Sequence, residues 1–348
     1  MTNTIKSQIL NGTENHDSSA LLHISSSPHL RSGNSVPNIM LHVLVALLPA
    51  TAAALLFFQI HALILIAVSV SAAILTEFFA AIILKHPRSL RDYSAAVTGL
   101  LFALSLPPLT PWWMAAAGSV IAIAFIKVAF GGLGQNLLNP ALAARALLLI
   151  FFYNTMTTAW AEPYLGTMAG VDAVSMATPL ALFDELLLSG ALETQYLQNS
   201  IVHLLIGNTG GSIGETSFIA LLLGAAWLWI KKIISFRIPF MFILSFFILS
   251  WLFHANGDYF SLTALLSAVF LTCSGGIALA AFFMANDTTT SPITPLGRII
   301  FGIGCGVLTF AIRQFTILAE GVCFAILFMN LLKPLIEKYT KPKVFGHR

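Results

Sequence analysis

The chain has 348 residues, of which 57% are hydrophobic and only 9% charged, and 17 Lys and Arg against 14 Asp and Glu leave a net charge of +3. Soluble domains are about a quarter charged, so a chain this long with so few charges could not cover a water-facing surface. The composition excludes an ordinary soluble domain and carries no nucleic-acid footprint; it reads as a single polytopic membrane bundle.

Residues 1–27 are polar and lack the basic start and apolar core of a signal peptide, so 1–38 is expected to be a cytoplasmic tail. Apolar stretches then predict ten spans, at 39–58, 61–84, 94–106, 112–130, 137–153, 217–233, 238–254, 259–285, 298–315 and 320–337. A continuous crossing needs about 20 apolar residues. The third stretch falls short of that and is ended by Pro107 and Pro108, and the eighth is interrupted by Cys273-Ser274-Gly275-Gly276.

Basic residues orient the bundle. Lys85, Arg88, Arg91, Lys231, Lys232, Arg237, Arg298, Lys338, Lys341, Lys343 and Arg348 all fall on the side of the two termini, which is therefore the cytoplasm. The stretch 154–216 lies on the opposite face, holds no Lys or Arg, and carries Glu162, Asp172, Asp184, Glu185, Glu193 and Glu215. The expected organisation is a membrane half at 39–153, an external loop at 154–216, a second half at 217–337 and a cytoplasmic tail at 338–348. The interrupted spans hold the third place in two halves of five spans running in opposite senses. That is the pattern of an inverted 5+5 repeat with a central site, and the fold class is all-α.

Glu77, Lys127 and Arg145 sit in otherwise apolar spans, where an ionised side chain is costly. Lys127 lies near the cytoplasmic end of its span and is expected to snorkel. Glu77 fits a packed hydrogen-bonding role as well as a functional one. Arg145 is deeper and fits either a ligand role or a structural ion pair. Gly131-Gly132-Leu133-Gly134-Gln135-Asn136 leads into Asn139-Pro140, a turn that either presents amides to an anion or only packs closely. Asp287-Thr288-Thr289-Thr290 reads as a cap. Cys273, Cys305 and Cys323 all lie in apolar segments with no Cys-x-x-Cys, so no metal or iron–sulfur site is expected.

In the loop, Pro179 biases Thr178 to an extended backbone. Taken alone, a Thr-Pro pair with small neighbours is a turn or helix start. The pattern Asp172, Ser175, Ala177, Thr178, with Met176 where glycine is frequent, resembles the motif at which a flavin transferase links FMN through its phosphate to threonine. Ser26-Ser27-Pro28-His29, Asp92-Tyr93-Ser94-Ala95-Ala96-Val97-Thr98-Gly99, Leu106-Pro107-Pro108 with Pro111-Trp112-Trp113, the glycine-rich turn with Asn139-Pro140-Ala141, and Lys343-Val344-Phe345-Gly346-His347-Arg348 extend the likeness over nearly the whole chain.

Together these resemble the RnfD (RsxD) family, the membrane D subunits of ion-translocating Rnf electron-transport complexes, and less closely the NqrB subunits of sodium-pumping NADH:quinone reductases. The resemblance implies a bacterial inner-membrane subunit, not catalytic alone, of a ferredoxin:NAD oxidoreductase coupled to Na⁺ or H⁺ movement. It implies covalent FMN on Thr178 with Asp172, Ser175 and Ala177 as the attachment motif. Its expected partners are the other Rnf subunits (A, B, C, E and G), a flavin transferase and lipid. The wider family can also hold a non-covalent flavin such as riboflavin, for which the interrupted spans and Arg145 are the expected place. The competing readings are a stand-alone small-solute channel or transporter, which has no need of such a motif, and a purely structural assembly subunit.

Overall fold

The computed structural model describes residues 35–85, 92–163, 178–189, 192–255, 261–316 and 321–341. Asp172, Ser175 and Ala177, the motifs at 26–29 and 343–348, and Arg88 and Arg91 lie outside the described residues. Among those described, Val36 onward forms one unit built of helices, with no strand.

In chain order these are α1 (Val36–Ile83), α2 (Ser94–Leu104), α3 (Trp112–Val128), α4 (Pro140–Phe151), α5 (Tyr153–Thr158), α6 (Pro179–Leu188) and α7 (Thr194–Ile206). They are followed by α8 (Phe218–Ile230), α9 (Arg237–His254), α10 (Leu262–Cys273), α11 (Ile277–Met284), α12 (Pro295–Phe315) and α13 (Val322–Thr340). At 48 residues α1 would be about 70 Å long if straight, more than twice the hydrocarbon thickness. It is divided at Gln59, whose φ of 43° and ψ of −118° leave the helix, into arms at 36–58 and 60–83 that match the first two predicted spans.

Three helices, α1, α9 and α12, are long and apolar enough to cross a membrane by length and composition, and the pair α10–α11, bent by 61°, passes the same test together. Shorter apolar helices, α2, α3, α4 and α8, fill in the remainder of the bundle with α13. The protein is an all-α, multi-pass membrane protein, and each of the ten predicted spans coincides with a helical stretch to within a few residues.

Leu, Ile and Phe side chains crowd the outside of these helices, among them Leu56, Phe79, Phe125 and Ile230 at 59–71% exposure, as a lipid-facing surface requires. Small residues work on the inside. Gly302 and Gly306 of α12 lie against the α9 backbone at Ile238 and Phe242, so close that a Cβ at either position would collide. Bundles in lipid are held by such close packing, because apolar side chains gain nothing by leaving lipid for protein.

The packing also bears on the two halves. The second arm of α1 packs with α2 and α3, as α9 packs with α10 and α12, and α4 packs on α13. These pairs occupy equivalent places in two successions of five spans, the arrangement expected for a repeat.

Candidate functional site

Thr178 is the N-cap of α6. Its φ of −66° and ψ of 153° are extended, Pro179 takes the first helical position, and its Oγ1 accepts the Ala181 N–H at 3.3 Å. The hydroxyl is therefore held at the positive end of a ten-residue helix.

The other face of α6 is docked. Leu180 and Phe183 are buried, Phe183 to 1% exposure; its ring stacks on Phe270 of α10 (5.4 Å between centroids, 20° between planes) and meets His254 of α9 edge-on at 5.5 Å. Asp184 borders the same small cavity as His254 and Arg313. Partial burial raises its carboxyl above the usual range, while His254 and Arg313 pull it back down.

Under α6 lies the interruption in the eighth span. Gly275 and Gly276 have φ of +64° and +76°, which only glycine adopts easily, and they let the chain turn between α10 and α11. The bend strands the last carbonyls of α10 and the first amides of α11 inside the bundle, where water cannot serve them. Arg313 of α12 answers the carbonyls: Nη1 donates to Leu271 O at 3.2 Å, and Nη2 to Ser274 O at 3.3 Å and to Gly275 O.

At the α11 end stands the Glu215 carboxylate, close enough that a Cβ on Gly276 would run into it. A cation is thus set at a helix C-terminus and an anion at a helix N-terminus, each in the favourable sense. Arg145 closes the group, donating to Glu215 Oε1 at 2.8 Å and to Ser212 Oγ at 3.2 Å. Both partners' side chains are about 6–7% exposed.

Glu215 belongs by sequence to the loop 154–216, yet the end of that loop turns into the bundle. Ile213 and Gly214 donate backbone hydrogen bonds to Leu106 O and Leu104 O at 3.0 and 2.8 Å, so the stretch seals the end of short α2.

A second polar group lies at the far end of the bundle, where α3 and α11 finish and α4 begins. Lys127 does not snorkel, contrary to the expectation from its place in the sequence. It is 2% exposed, and its Nζ donates to Glu77 Oε1 and Ser94 Oγ, each at 2.5 Å. The ammonium is turned inward because α1 supplies a carboxylate in reach, which solvates it better than a route along the lipid surface would. It sits in a π-helical stretch, Ile121–Val128, a distortion that frequently accompanies functional sites.

Gly131, Gly132 and Gly134 all have positive φ, as the glycine-rich turn requires, and the turn delivers Asn139 to the N-cap of α4. Asn139 Oδ1 accepts from Ala141 and Leu142, while its Nδ2 crosses to Met284 O of α11 at 3.0 Å. Asn330 of α13, oriented so that its amide donates to Thr290 O and accepts from Asn139 N, both at 3.2 Å, completes a seam between the halves. Asp287 caps no helix, contrary to the expectation from sequence: its Oδ2 accepts from the Thr289 and Thr290 hydroxyls within a turn, and Thr294 caps the helix that follows.

Beside the seam is a cavity bordered by Ser94, Thr98, Lys127, Asn136, Phe283 and Asp287 among others. Asn136 is 7% exposed and its Oδ1 has no hydrogen-bond partner, an acceptor in want of a donor. Arg145 does not border this cavity; the space beside it, shared with Glu215, Gly275 and Gly276, is smaller. Cys273 is half-buried and Cys305 and Cys323 are buried, and among the described residues no group of His, Cys, Asp and Glu could hold a metal ion.

A model of the NQR2, RnfD, RnfE family matches residues 23–346. The chain belongs to that family. Members of it named as components of complexes are similar along almost their entire length. The D subunit of the Na(+)-translocating ferredoxin:NAD(+) oxidoreductase complex of Acetobacterium woodii is 43% identical over 93% of this chain and 95% of its own. The D subunit of the proton-translocating ferredoxin:NAD(+) oxidoreductase complex of Clostridium ljungdahlii is 44% identical over 93% and 96%. The D subunit of the ion-translocating oxidoreductase complex of Stutzerimonas stutzeri is 40% identical over 90% and 93%. Two family members at nearly equal similarity are named for different ions, so overall likeness does not identify the ion.

Of the residues singled out from sequence, Thr178 starts α6 and Arg145 pairs with Glu215 at the broken span. Sequence reasoning passed over Glu215 and Arg313, which the fold brings to the same break. Arg313 lies in the ninth predicted span and meets the same criterion that drew attention to Arg145. Glu215 was hidden among the acids of the loop.

Proposed function

We propose that this chain is the flavin-carrying membrane subunit of a Rnf-type complex, an ion-translocating ferredoxin:NAD oxidoreductase in a bacterial inner membrane, with FMN esterified through its phosphate to Thr178. The observation that carries the reading is the position of Thr178. In a chain of this family it ends the Asp172, Ser175, Ala177 motif and caps a helix that is docked on the bundle by Phe183.

The residues present fit the group. A phosphodiester bears a negative charge, and the N-terminus of α6 favours one at that oxygen. Docking of Leu180 and Phe183 fixes the helix and so the attachment point, which a relay between fixed neighbours requires. The flavin would supply one-electron chemistry, and the protein position and electrostatics. The loop's lack of Lys and Arg is offset from below by Arg313, which borders the same cavity under α6 as Asp184.

A second, non-covalent flavin such as riboflavin was expected near the interrupted spans and Arg145. The cavity beside Asn136 suits that group better than the space at Arg145, because both interrupted spans border it and its unpartnered Asn136 Oδ1 would take a ring N–H. Arg145 is already engaged by Glu215.

Wild-type protein coexpressed with a flavin transferase should fluoresce under ultraviolet light in a denaturing gel, and Thr178→Ala should not. The proteolytic peptide containing Thr178 should carry the mass of FMN less water. Extraction of the same preparation should release riboflavin; an extract without flavin would remove the second site. A dark wild-type band would favour the stand-alone transporter reading.

A further inference from the structure

The helix that bears Thr178 and the break in the eighth span share one side chain. Arg313 reaches the three carbonyls at the end of α10 with one edge of its guanidinium, and it lies within electrostatic reach of Asp184 on α6. Phe183, the residue before Asp184, is stacked on Phe270 of the same half-helix. A displacement of α6, or a change of charge on it, is therefore felt at the break by two routes, one steric and one electrostatic.

We propose that Phe183 and Arg313 are positioning residues that couple the flavin-bearing helix to the hinge of the broken span, so that added negative charge on α6 loosens the hold on the break. This rests on the reading of Thr178 as the flavin attachment site.

The sense of the effect follows from the charges. The carbonyl end of α10 carries about half a negative charge. It competes for the Arg313 guanidinium with any anion on α6, of which Asp184 is the resident one. The opposite lip of the break is held by Glu215 and Arg145, so weakening Arg313 frees one side only, which makes a hinge at Gly275–Gly276 and leaves the bundle intact. A purely structural Arg313 would hold the break equally in every redox state.

Cys273, the last residue of α10, is half-buried at the break and reports on it; Cys305 and Cys323 are buried and serve as internal controls. Iodoacetamide labelling of each cysteine is followed by peptide mass in the purified complex, with the flavins oxidised or reduced by NADH.

Wild type should label Cys273 about fivefold faster when reduced, the scale of an ordinary coupling between two sites. Asp184→Asn, an exposed substitution that removes the resident anion and should leave folding undisturbed, should slow Cys273 labelling in both redox states. The difference between the redox states should shrink in Phe183→Leu and in Arg313→Lys, which keeps the charge and loses the fork. Equal Cys273 labelling in both redox states of a wild-type complex with full in-gel fluorescence overturns the coupling. Persistence of the difference in Thr178→Ala overturns it too, because the signal would then not come from α6. A wild-type band without fluorescence sinks the attachment reading itself, a separate failure.

Discussion

Arg145 and Glu215 show how a single residue's surroundings set its role. An arginine in an apolar span is tolerable only when its charge is met, and here a carboxylate 70 positions away meets it at 2.8 Å. Removing one partner of a buried pair leaves the other charged and dry, at a cost of about 3–5 kcal/mol. Glu215→Ala should therefore lower the melting temperature in detergent sharply. The double substitution Arg145→Met with Glu215→Leu should recover most of the loss, since an apolar pair of like volume is often neutral. If the double variant is as unstable as the single one, Glu215 matters for more than its partner, and the negative charge it sets beside the start of α11 becomes the main contribution.

Helices meet in this protein where side chains are smallest. The approach of α12 to α9 depends on Gly302 and Gly306 lying over the backbone of the neighbour. Gly306→Leu would force the two apart and strand the cross-helix bond from Ser245 to Ile303 O. Overpacking of this kind costs about 1–3 kcal/mol or more. The expected result is a lower melting temperature with undiminished covalent flavin, because α6 packs on α9 and α10 rather than on this seam. The broken pair α10–α11 obeys a different rule. The carbonyls at the end of α10 are met by Ser274 Oγ and by Arg313 borrowed from α12, and the Glu215 carboxylate stands beside the start of α11.

For the whole molecule, the arrangement of basic residues predicts that Thr178 and the two ends of the chain lie on opposite membrane faces. A membrane-impermeant maleimide should label Leu188→Cys, 89% exposed at the end of α6, in intact spheroplasts. Tyr339→Cys, 77% exposed near the other end of the bundle, should label only after permeabilisation. The reverse pattern would invert the topology and put the proposed flavin on the cytoplasmic face. The two polar groups also acquire meaning at this scale: one lies at the break beneath α6, the other at the seam beside Asn139.

Span positions were legible in the sequence because crossing a bilayer demands long apolar runs, and such runs are a local property of the chain. The interruption at Gly275–Gly276 and the extended backbone at Thr178 were legible for the same reason, since glycine and proline act on their own residue and the next. Pairings were not. Lys127 at the end of an apolar span reads as snorkelling unless Glu77, 50 positions earlier, is known to stand beside it. Glu215 reads as a surface acid unless the loop is known to fold back onto Leu104 and Leu106. Local chemistry written in the chain determined an all-α membrane protein with a broken eighth span and a threonine poised at a helix start. The tertiary structure alone decided which charges meet, because in a medium without water each buried charge takes the nearest partner in space, whatever its distance along the chain.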